Sequence, residues 1–425
     1  MDKDSTLVVI GAGHAGVELA LAARQQGWPG PIVLLGDEAH EPYHRPPLSK
    51  AFLAGAAAAD TLGLRQRAAY DTANITLRLG TRVSHIDRAA HDVVLEGGET
   101  LRYAKLALCT GGRPRLLDVP GMESGQPGNL HYLRTQADSL AIASSVKPGS
   151  HVVVVGGGYV GLEVAASSRK LGADVTVLEM QPRVLARVTG ADMSAFYTGV
   201  HEEAGVRIRT GVSVTGVERD GVGGRVTAVR VKDAHDHVES MPADAVVVGV
   251  GMLPNIELAE AAGLDVDRGI VVDEHSVTSD PDVLAAGDCT VHDSANYGRR
   301  IRLESVPNAL EQARAAAAWI CGKPKPNQSI PWFWSDQYDL KLQMAGLSDG
   351  HDQCVVRGSA QSRIFCAFYL KGGVLVAVDA VNAPMDFMLT KRALPEHVAP
   401  DAAALADTTV PLKTLLAKPA AHNPT

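Results

Sequence analysis

Thr6-Leu7-Val8-Val9-Ile10-Gly11-Ala12-Gly13-His14-Ala15-Gly16 is the stretch that decides the fold. A short, apolar, β-branched run breaks straight into glycines, as a buried parallel strand does on entering a tight turn. Val17 to Gln26 is rich in Ala and Leu and reads as a helix, and Ile32 to Leu35 reads as the next strand. In that setting G-x-G-x-x-G has a physical meaning. Gly11 makes the turn, Gly13 lets the backbone approach a pyrophosphate, and Gly16 packs helix on strand. His14 and Ala15 open the helix, whose N-terminus offers N–H groups and the positive end of its dipole to the phosphates.

The pattern recurs. His151 to Val155 is a second strand, Gly156-Gly157-Gly158-Tyr159-Val160-Gly161 the second turn, and Tyr159 to about Leu171 the helix. Val175 to Leu178 closes this unit and Glu179 follows it. A carboxylate there accepts hydrogen bonds from both ribose hydroxyls and repels a 2′-phosphate, so the second turn is expected to select NAD over NADP. In the first copy the matching place is Gly36; Asp37, one residue on, is the ribose candidate and Glu38 the alternative. Two turns imply two dinucleotides. NAD(H) exchanges a hydride, whereas a flavin accepts a hydride and releases electrons singly. The tandem therefore reads as NADH feeding a bound flavin, with FAD and NAD as the cofactors.

The rest of the chain supports a large globular protein. Its 425 residues suggest two to four domains, and 46% hydrophobic with 21% charged residues excludes a disordered or fibrous chain. A net charge of −8 argues against a nucleic-acid partner. No apolar run reaches the roughly 18 residues of a membrane span, the start Met1-Asp2-Lys3-Asp4 does not fit a signal peptide, and no metal site is expected. Five cysteines, none spaced C-x-x-C, exclude a disulfide framework and a dithiol centre, so a reduced, cytoplasmic location is the default. Val83 to Leu101 and Val212 to Val231 alternate as small antiparallel insertions, and Ala245 to Val250 is another buried strand. After a linker at Lys323-Pro324-Lys325-Pro326, strands are expected near 340–345, 364–370 and 374–381, and the Ala/Pro-rich end from about Pro395 is expected to be partly mobile.

Longer motifs add a family. Tyr43-His44-Arg45-Pro46-Pro47-Leu48-Ser49-Lys50, Ala107-Leu108-Cys109-Thr110-Gly111-Gly112, Ala285-Ala286-Gly287-Asp288, Leu303-Glu304-Ser305-Val306-Pro307-Asn308-Ala309 and Pro331-Trp332-Phe333-Trp334-Ser335-Asp336-Gln337 stand in order along the chain. Over essentially its whole length the sequence resembles the FAD-dependent, NADH-dependent ferredoxin reductases of the putidaredoxin reductase type, which serve cytochromes P450 and ring-hydroxylating dioxygenases. The wider flavoprotein family, glutathione reductase included, carries a redox cysteine pair in the first-helix region. None stands here, so electrons should leave the flavin directly.

The resemblance implies FAD contacts at Gly11, Gly13, His14, Ala15, Gly16, Asp37, Arg45, Lys50, Val83, Thr110, Gly111, Arg134, Gly287, Asp288, Ser305 and Val306. It places Gly156, Gly157, Gly158, Tyr159, Val160, Glu163, Glu179, Gly251 and Glu304 on the NAD side. Lys50 would lie beside flavin N5 with Glu163 reaching it, and Trp334 between flavin and partner; these three form the expected catalytic set. The partner would be a [2Fe-2S] ferredoxin, attracted by the basic run Arg299-Arg300-Ile301-Arg302 and by Arg314. Lys341 stands two residues before Gln343, where related reductases often carry a lysine, which leaves partner identity open.

The expected architecture is α/β: two Rossmann-like (glutathione-reductase-like) dinucleotide-binding domains and a C-terminal α/β domain. The bounds are 1–113 and 248–326 for FAD, 114–247 for NAD, and 327–425 for the last domain. The function implied is transfer of electrons from NADH through FAD, one at a time, to the ferredoxin. The alternatives are a rubredoxin reductase or NADH oxidase of the same family, or a non-catalytic flavoprotein similar to apoptosis-inducing factor.

Overall fold

A computed structural model describes residues 3–123 and 125–417. The chain divides into two compact units, Met1–His44 with Ala59–Arg113 and Met252–Pro331, and Arg45–Ala58 with Pro114–Gly251 and Trp332–Thr425.

The first unit is built on a five-stranded parallel sheet in the order Val283–Ala285, Lys105–Leu108, Leu7–Ile10, Ile32–Leu35, Ile75–Arg78. Leu7–Ile10 is buried throughout, as a strand covered on both faces must be. Helix His14–Gln26 follows the glycine turn and ends at Gly27, whose left-handed φ of 100° lets its N–H reach back to the Ala23 and Arg24 carbonyls. Helix Val306–Ile320 packs against it. Small residues on both sides, Ala309, Ala313, Ala316 and Ala317 with Ala15, Ala20 and Ala23, share one buried cluster and let the backbones approach closely. The expected insertion is the antiparallel sheet Val83–Asp87, Asp92–Leu95, Thr100–Arg102.

The second unit repeats the parallel sheet, in the order Arg207–Thr210, Asp174–Glu179, His151–Val155, Ala245–Val248, Leu130–Tyr132. Its insertion is the antiparallel sheet Ser213–Arg219, Val226–Lys232, Val238–Pro242. The C-terminal part is a five-stranded antiparallel sheet ordered Trp332–Gln337, Leu340–Gly346, Val374–Val381, Ile364–Lys371, Gln353–Ser359. Leu340, Leu342, Phe365, Ala367 and Tyr369 of this sheet lie in the same core as Val152, Val154, Leu162, Val177 and Tyr197 of the parallel one. That shared core makes them one compact unit.

Several sequence expectations meet a different structure. The two contact units divide at 113/114, 251/252 and 331/332, beside domain bounds expected at 113/114, 247/248 and 326/327. Arg45–Ala58, expected within the first FAD segment, clusters with the second unit because Leu53 enters its core and Ser139 and Ser167 donate to the Leu48 and Ser49 carbonyls. The stretch after Pro395 is not loose as far as it is described. Ala402–Ala406 and Leu412–Leu415 are short helices, and the buried Arg357 guanidinium donates to the carbonyls of Leu405, Asp407 and Val410. Residues 418–425 lie outside the described part. Among the described residues no helix is long and apolar enough to cross a membrane, and no group of three or more His, Cys, Asp or Glu could hold a metal.

Candidate functional site

Each glycine turn sits at the carboxyl end of the central strand of its sheet, Leu7–Ile10 or His151–Val155, where doubly wound sheets bind nucleotides. Gly11 has φ +107, and a Cβ on it would lie 2.1 Å from the Cys109 carbonyl oxygen; on Gly16 it would lie 1.9 Å from that of Gly11. Gly156 and Gly161 stand the same way, with clashes at 2.4 Å from Gly249 O and 2.0 Å from Gly156 O. The middle glycines differ. Around Gly13 and Gly158 nothing lies within 4 Å of the Cβ position, so the backbone is open to an approaching group. Both are helix N-caps with no side-chain cap and no acid in the first turn. First-turn N–H groups and a dipole with no acid in the first turn suit a pyrophosphate, so both cradles fit a dinucleotide.

Beyond the second cradle, Glu179 ends its strand and its carboxylate is fixed by the backbone. Oε2 accepts from the Gly157 N–H at 2.7 Å and Oε1 from the Gln181 N–H at 2.8 Å. Arg183, which could otherwise answer a 2′-phosphate, is already committed. It donates to the carbonyls of Thr189 (2.8 Å), Gly190 (3.3 Å) and Ala186 (3.1 Å) and to Ser194 Oγ (2.5 Å). Tyr159 donates to Met344 Sδ and stacks obliquely on Phe333, while Val160 is exposed at the helix start. Gly251 is left-handed, and its carbonyl accepts from the Arg115 N–H.

In the first unit the turn bearing Asp288 is held by a residue the sequence reading did not single out. Gln312, 1% exposed on helix Val306–Ile320, accepts at Oε1 from the Gly287 N–H and the Thr290 hydroxyl, both at 2.9 Å. Gly287 has φ +91, and a Cβ there would come 3.2 Å from Ala15, so Asp288 and the first cradle are adjacent. Ser305 caps the helix through Asn308 N, with Val306 as its first residue, and Glu304 pairs with Arg302 at 2.6 Å. The Thr110 hydroxyl and carbonyl both bond to Asn255, and Gly111 O accepts from the Asn255 N–H. Asp37 is exposed and 3.5 Å from Arg82, whereas Glu38 accepts the Tyr43 hydroxyl at 2.5 Å. Val83 is a buried residue of the insertion core, and His14 meets His44 at 3.3 Å.

The second unit also contains a dense polar knot. Glu163, on helix Tyr159–Lys170, is 3% exposed. Its Oε2 accepts from Lys50 Nζ at 2.7 Å and from the Ser49 hydroxyl at 2.5 Å, and its Oε1 from the Ser335 hydroxyl at 2.6 Å. A buried carboxylate needs such partners. Lys50 also donates to Pro46 O, and Arg45 donates to the carbonyl of Arg134. Ser49 and Ser335 were not foreseen; both stand inside quoted motifs, beside Lys50 and Trp334. Trp334 is half-buried, with Trp332 and Phe333 at ring distances of 5.7 and 6.2 Å, and Lys391 lies over the Trp332 ring.

The expected basic run carries its own counter-charges. Arg300 bonds to Asp293 and Asp267, and Arg314 to Glu18 at 2.7 Å and Glu311 at 3.0 Å.

A chain with two dinucleotide-fitting cradles, one of them followed by a strand-end carboxylate fixed by the backbone, has the build of a two-nucleotide oxidoreductase. Residues 5–313 match the family Pyridine nucleotide-disulphide oxidoreductase, to which the chain belongs, and residues 332–416 match the Reductase C-terminal family. It is 48% identical over 417 residues to putidaredoxin reductase CamA of Pseudomonas putida, covering 98% of each chain. To rhodocoxin reductase of Rhodococcus erythropolis it is 43% identical, covering 97% of this chain and 95% of that one. The crystal structure of the covalent putidaredoxin reductase–putidaredoxin complex superposes with a TM-score of 0.93 at 47% identity, over 98% of this chain and 99% of that chain.

Proposed function

We propose that this chain is an NADH-dependent, FAD-containing ferredoxin reductase that supplies electrons to a cytochrome P450 or dioxygenase through a [2Fe-2S] ferredoxin. The observation that carries the reading is the pair of open, uncapped glycine cradles, the second of them completed by Glu179. Relatives named as reductases of putidaredoxin and rhodocoxin support the acceptor class. Five unpaired cysteines suit a reducing cytoplasm.

When bound, FAD would supply the chemistry of taking a hydride from NADH and releasing two electrons singly with one proton. The chain's own residues do the rest. Gly13 and the first-turn N–H groups behind it would hold the FAD pyrophosphate, and Asp288, on the turn fixed by Gln312, would bind the ribitol. Gly158 holds the NADH pyrophosphate and Glu179 its ribose. By the resemblance Lys50 would offset the negative charge of a reduced flavin, and Glu163, 2.7 Å from Nζ, keeps that ammonium in one place. By the same resemblance Trp334 would shield the flavin edge and Arg314 would contribute to ferredoxin docking.

The test is turnover with purified, yellow protein. NADH should reduce a [2Fe-2S] ferredoxin steadily while oxygen alone is consumed slowly, and acid should release the flavin into solution. Preference for rubredoxin, or fast oxygen consumption without any carrier, would assign the chain to a sister activity instead. No NADH-dependent bleaching of the flavin would refute the reading.

A further inference from the structure

The knot around Glu163 continues inward as a chain whose direction can be worked out. Ser335 Oγ lies 2.6 Å from Glu163 Oε1 and 3.1 Å from Gln337 Nε2; Gln337 Oε1 lies 2.8 Å from His201 Nε2; His201 Nδ1 lies 3.1 Å from the Tyr338 hydroxyl. Ser335 and His201 are 0% exposed and Gln337 is 1% exposed. A carboxylate only accepts, so the single Ser335 proton must go to Glu163. Ser335 then has only lone pairs left for Gln337, which must present its amide N–H₂ to the serine and its carbonyl oxygen to His201. That oxygen demands a proton on His201 Nε2. The neutral ring is left with a bare Nδ1, which accepts from Tyr338. Burial lowers the His201 pKa, which favours this neutral form.

Every donor therefore points the same way, from Tyr338 through His201, Gln337 and Ser335 to Glu163. Such a chain polarises along its length in a low-dielectric interior. Its strand, Trp332–Gln337, belongs to the C-terminal sheet, while Glu163 and His201 come from helices of the nucleotide-binding part. A buried polar path of this kind is costly compared with apolar packing unless it holds a group that needs holding.

We propose that Ser335, Gln337 and His201 are positioning residues for electron transfer: together they fix the Glu163 carboxylate and, through it, the Lys50 ammonium. The inference rests on the flavin reading above and adds residues that touch neither nucleotide. His201 acts only as an Nε2–H donor, so glutamine, whose amide nitrogen can reach the same place, should replace it and leucine should not.

The experiment uses the FAD-loaded protein. Nitrogen-15 NMR of labelled histidine should show His201 as the Nε2–H tautomer; an Nδ1–H ring would overturn the chain direction and the inference with it. Ser335→Ala should slow stopped-flow reduction of the flavin by NADH roughly ten-fold and lower the flavin midpoint potential, because Glu163, having lost a donor, compensates the Lys50 charge more fully. His201→Leu should do the same more weakly, and His201→Gln should recover most of the rate. A purely structural role would lower the melting temperature in Ser335→Ala and His201→Leu alike while rate and potential stay at wild-type values, and that result overturns the proposal. If Ser335→Ala does not fold, the leucine–glutamine comparison and the tautomer decide. Wild-type flavin that NADH cannot reduce would instead sink the underlying reading.

Discussion

Replacing Glu179 by alanine tests the nucleotide assignment most directly. Each carboxylate oxygen spends one acceptor position on a backbone N–H, Gly157 at 2.7 Å and Gln181 at 2.8 Å, which leaves each able to take one ribose hydroxyl. A hydrogen bond to a charged group contributes about 1.5–3 kcal/mol net, and water entering the variant restores part of the second. The expected loss in NADH affinity is therefore roughly 10- to 100-fold. NADPH should move the other way. Alanine removes the like charge and leaves the two N–H groups facing the site as donors for a 2′-phosphate. Arg183 should add little, because its guanidinium is held by Thr189, Gly190, Ala186 and Ser194. Stopped-flow flavin reduction against each nucleotide gives the dissociation constant and the limiting rate separately. The constant should rise for NADH and fall for NADPH, with the limiting NADH rate nearly unchanged. A Glu179→Ala protein that binds NADH within two-fold of wild type, or a wild type indifferent to the 2′-phosphate, would refute the assignment.

Lys50→Met leaves Glu163 with two serine donors and no cation, which should cost about 3 kcal/mol and show as slower flavin reduction or loss of FAD on gel filtration; full occupancy at wild-type rate would contradict it. Arg314→Ala should raise the KM for ferredoxin roughly two- to five-fold and leave NADH–ferricyanide turnover intact, since an exposed arginine already shared with Glu18 and Glu311 contributes little more; an unchanged KM would move docking elsewhere. Burial raises the pKa of Asp379, which accepts from Thr189 and Tyr369, from 3.8 to about 6. The folded state thus holds a proton that the unfolded chain has lost, and the stability this confers is full below about pH 4 and gone above about pH 6. Asp379→Asn should then be more stable than wild type at pH 8, by on the order of 2–3 kcal/mol, with the gap closing by pH 4; a melting-temperature difference independent of pH would refute the assignment.

Local chemistry made the two nucleotide-binding sheets legible. A β-branched run, a glycine turn and an Ala/Leu helix are contiguous, so their period and spacing survive without tertiary knowledge. The same holds for Glu179, which directly ends its strand. The residues around Glu163 are another matter. Lys50 and Glu163 are 113 positions apart and Glu163 and Ser335 are 172 apart, and no periodicity links them. Gln312 looks like one more polar residue on an alanine-rich helix, yet it is buried and ties down the turn bearing Asp288. The strand Trp332–Gln337 does not read as a strand from sequence, because its inward polar residues spoil the apolar alternation. Those same residues, Ser335 and Gln337, are inward because they bond to Glu163 and His201.

Charge pairing also constrains how a partner is met. The arginines of the basic run cannot act as a bare positive patch, because Arg300, Arg302 and Arg314 face Asp267, Asp293, Glu304, Glu18 and Glu311, at least as much negative charge as positive. Mixed pairs of this kind have short-ranged fields, and salt screens what remains within a Debye length of about 8–10 Å. Long-range steering of an acidic ferredoxin by this run is therefore weak. What Arg314 can do is take a further partner. Arg314 is half-exposed and uses one Nε and one Nη1 donor on its own carboxylates, and a guanidinium has five donors in a rigid fork. A carboxylate on the ferredoxin can take an unused edge without first breaking the internal pairs. Such contacts discriminate by the placement of single carboxylates rather than by net charge, so a chain at −8 can still select an acidic protein.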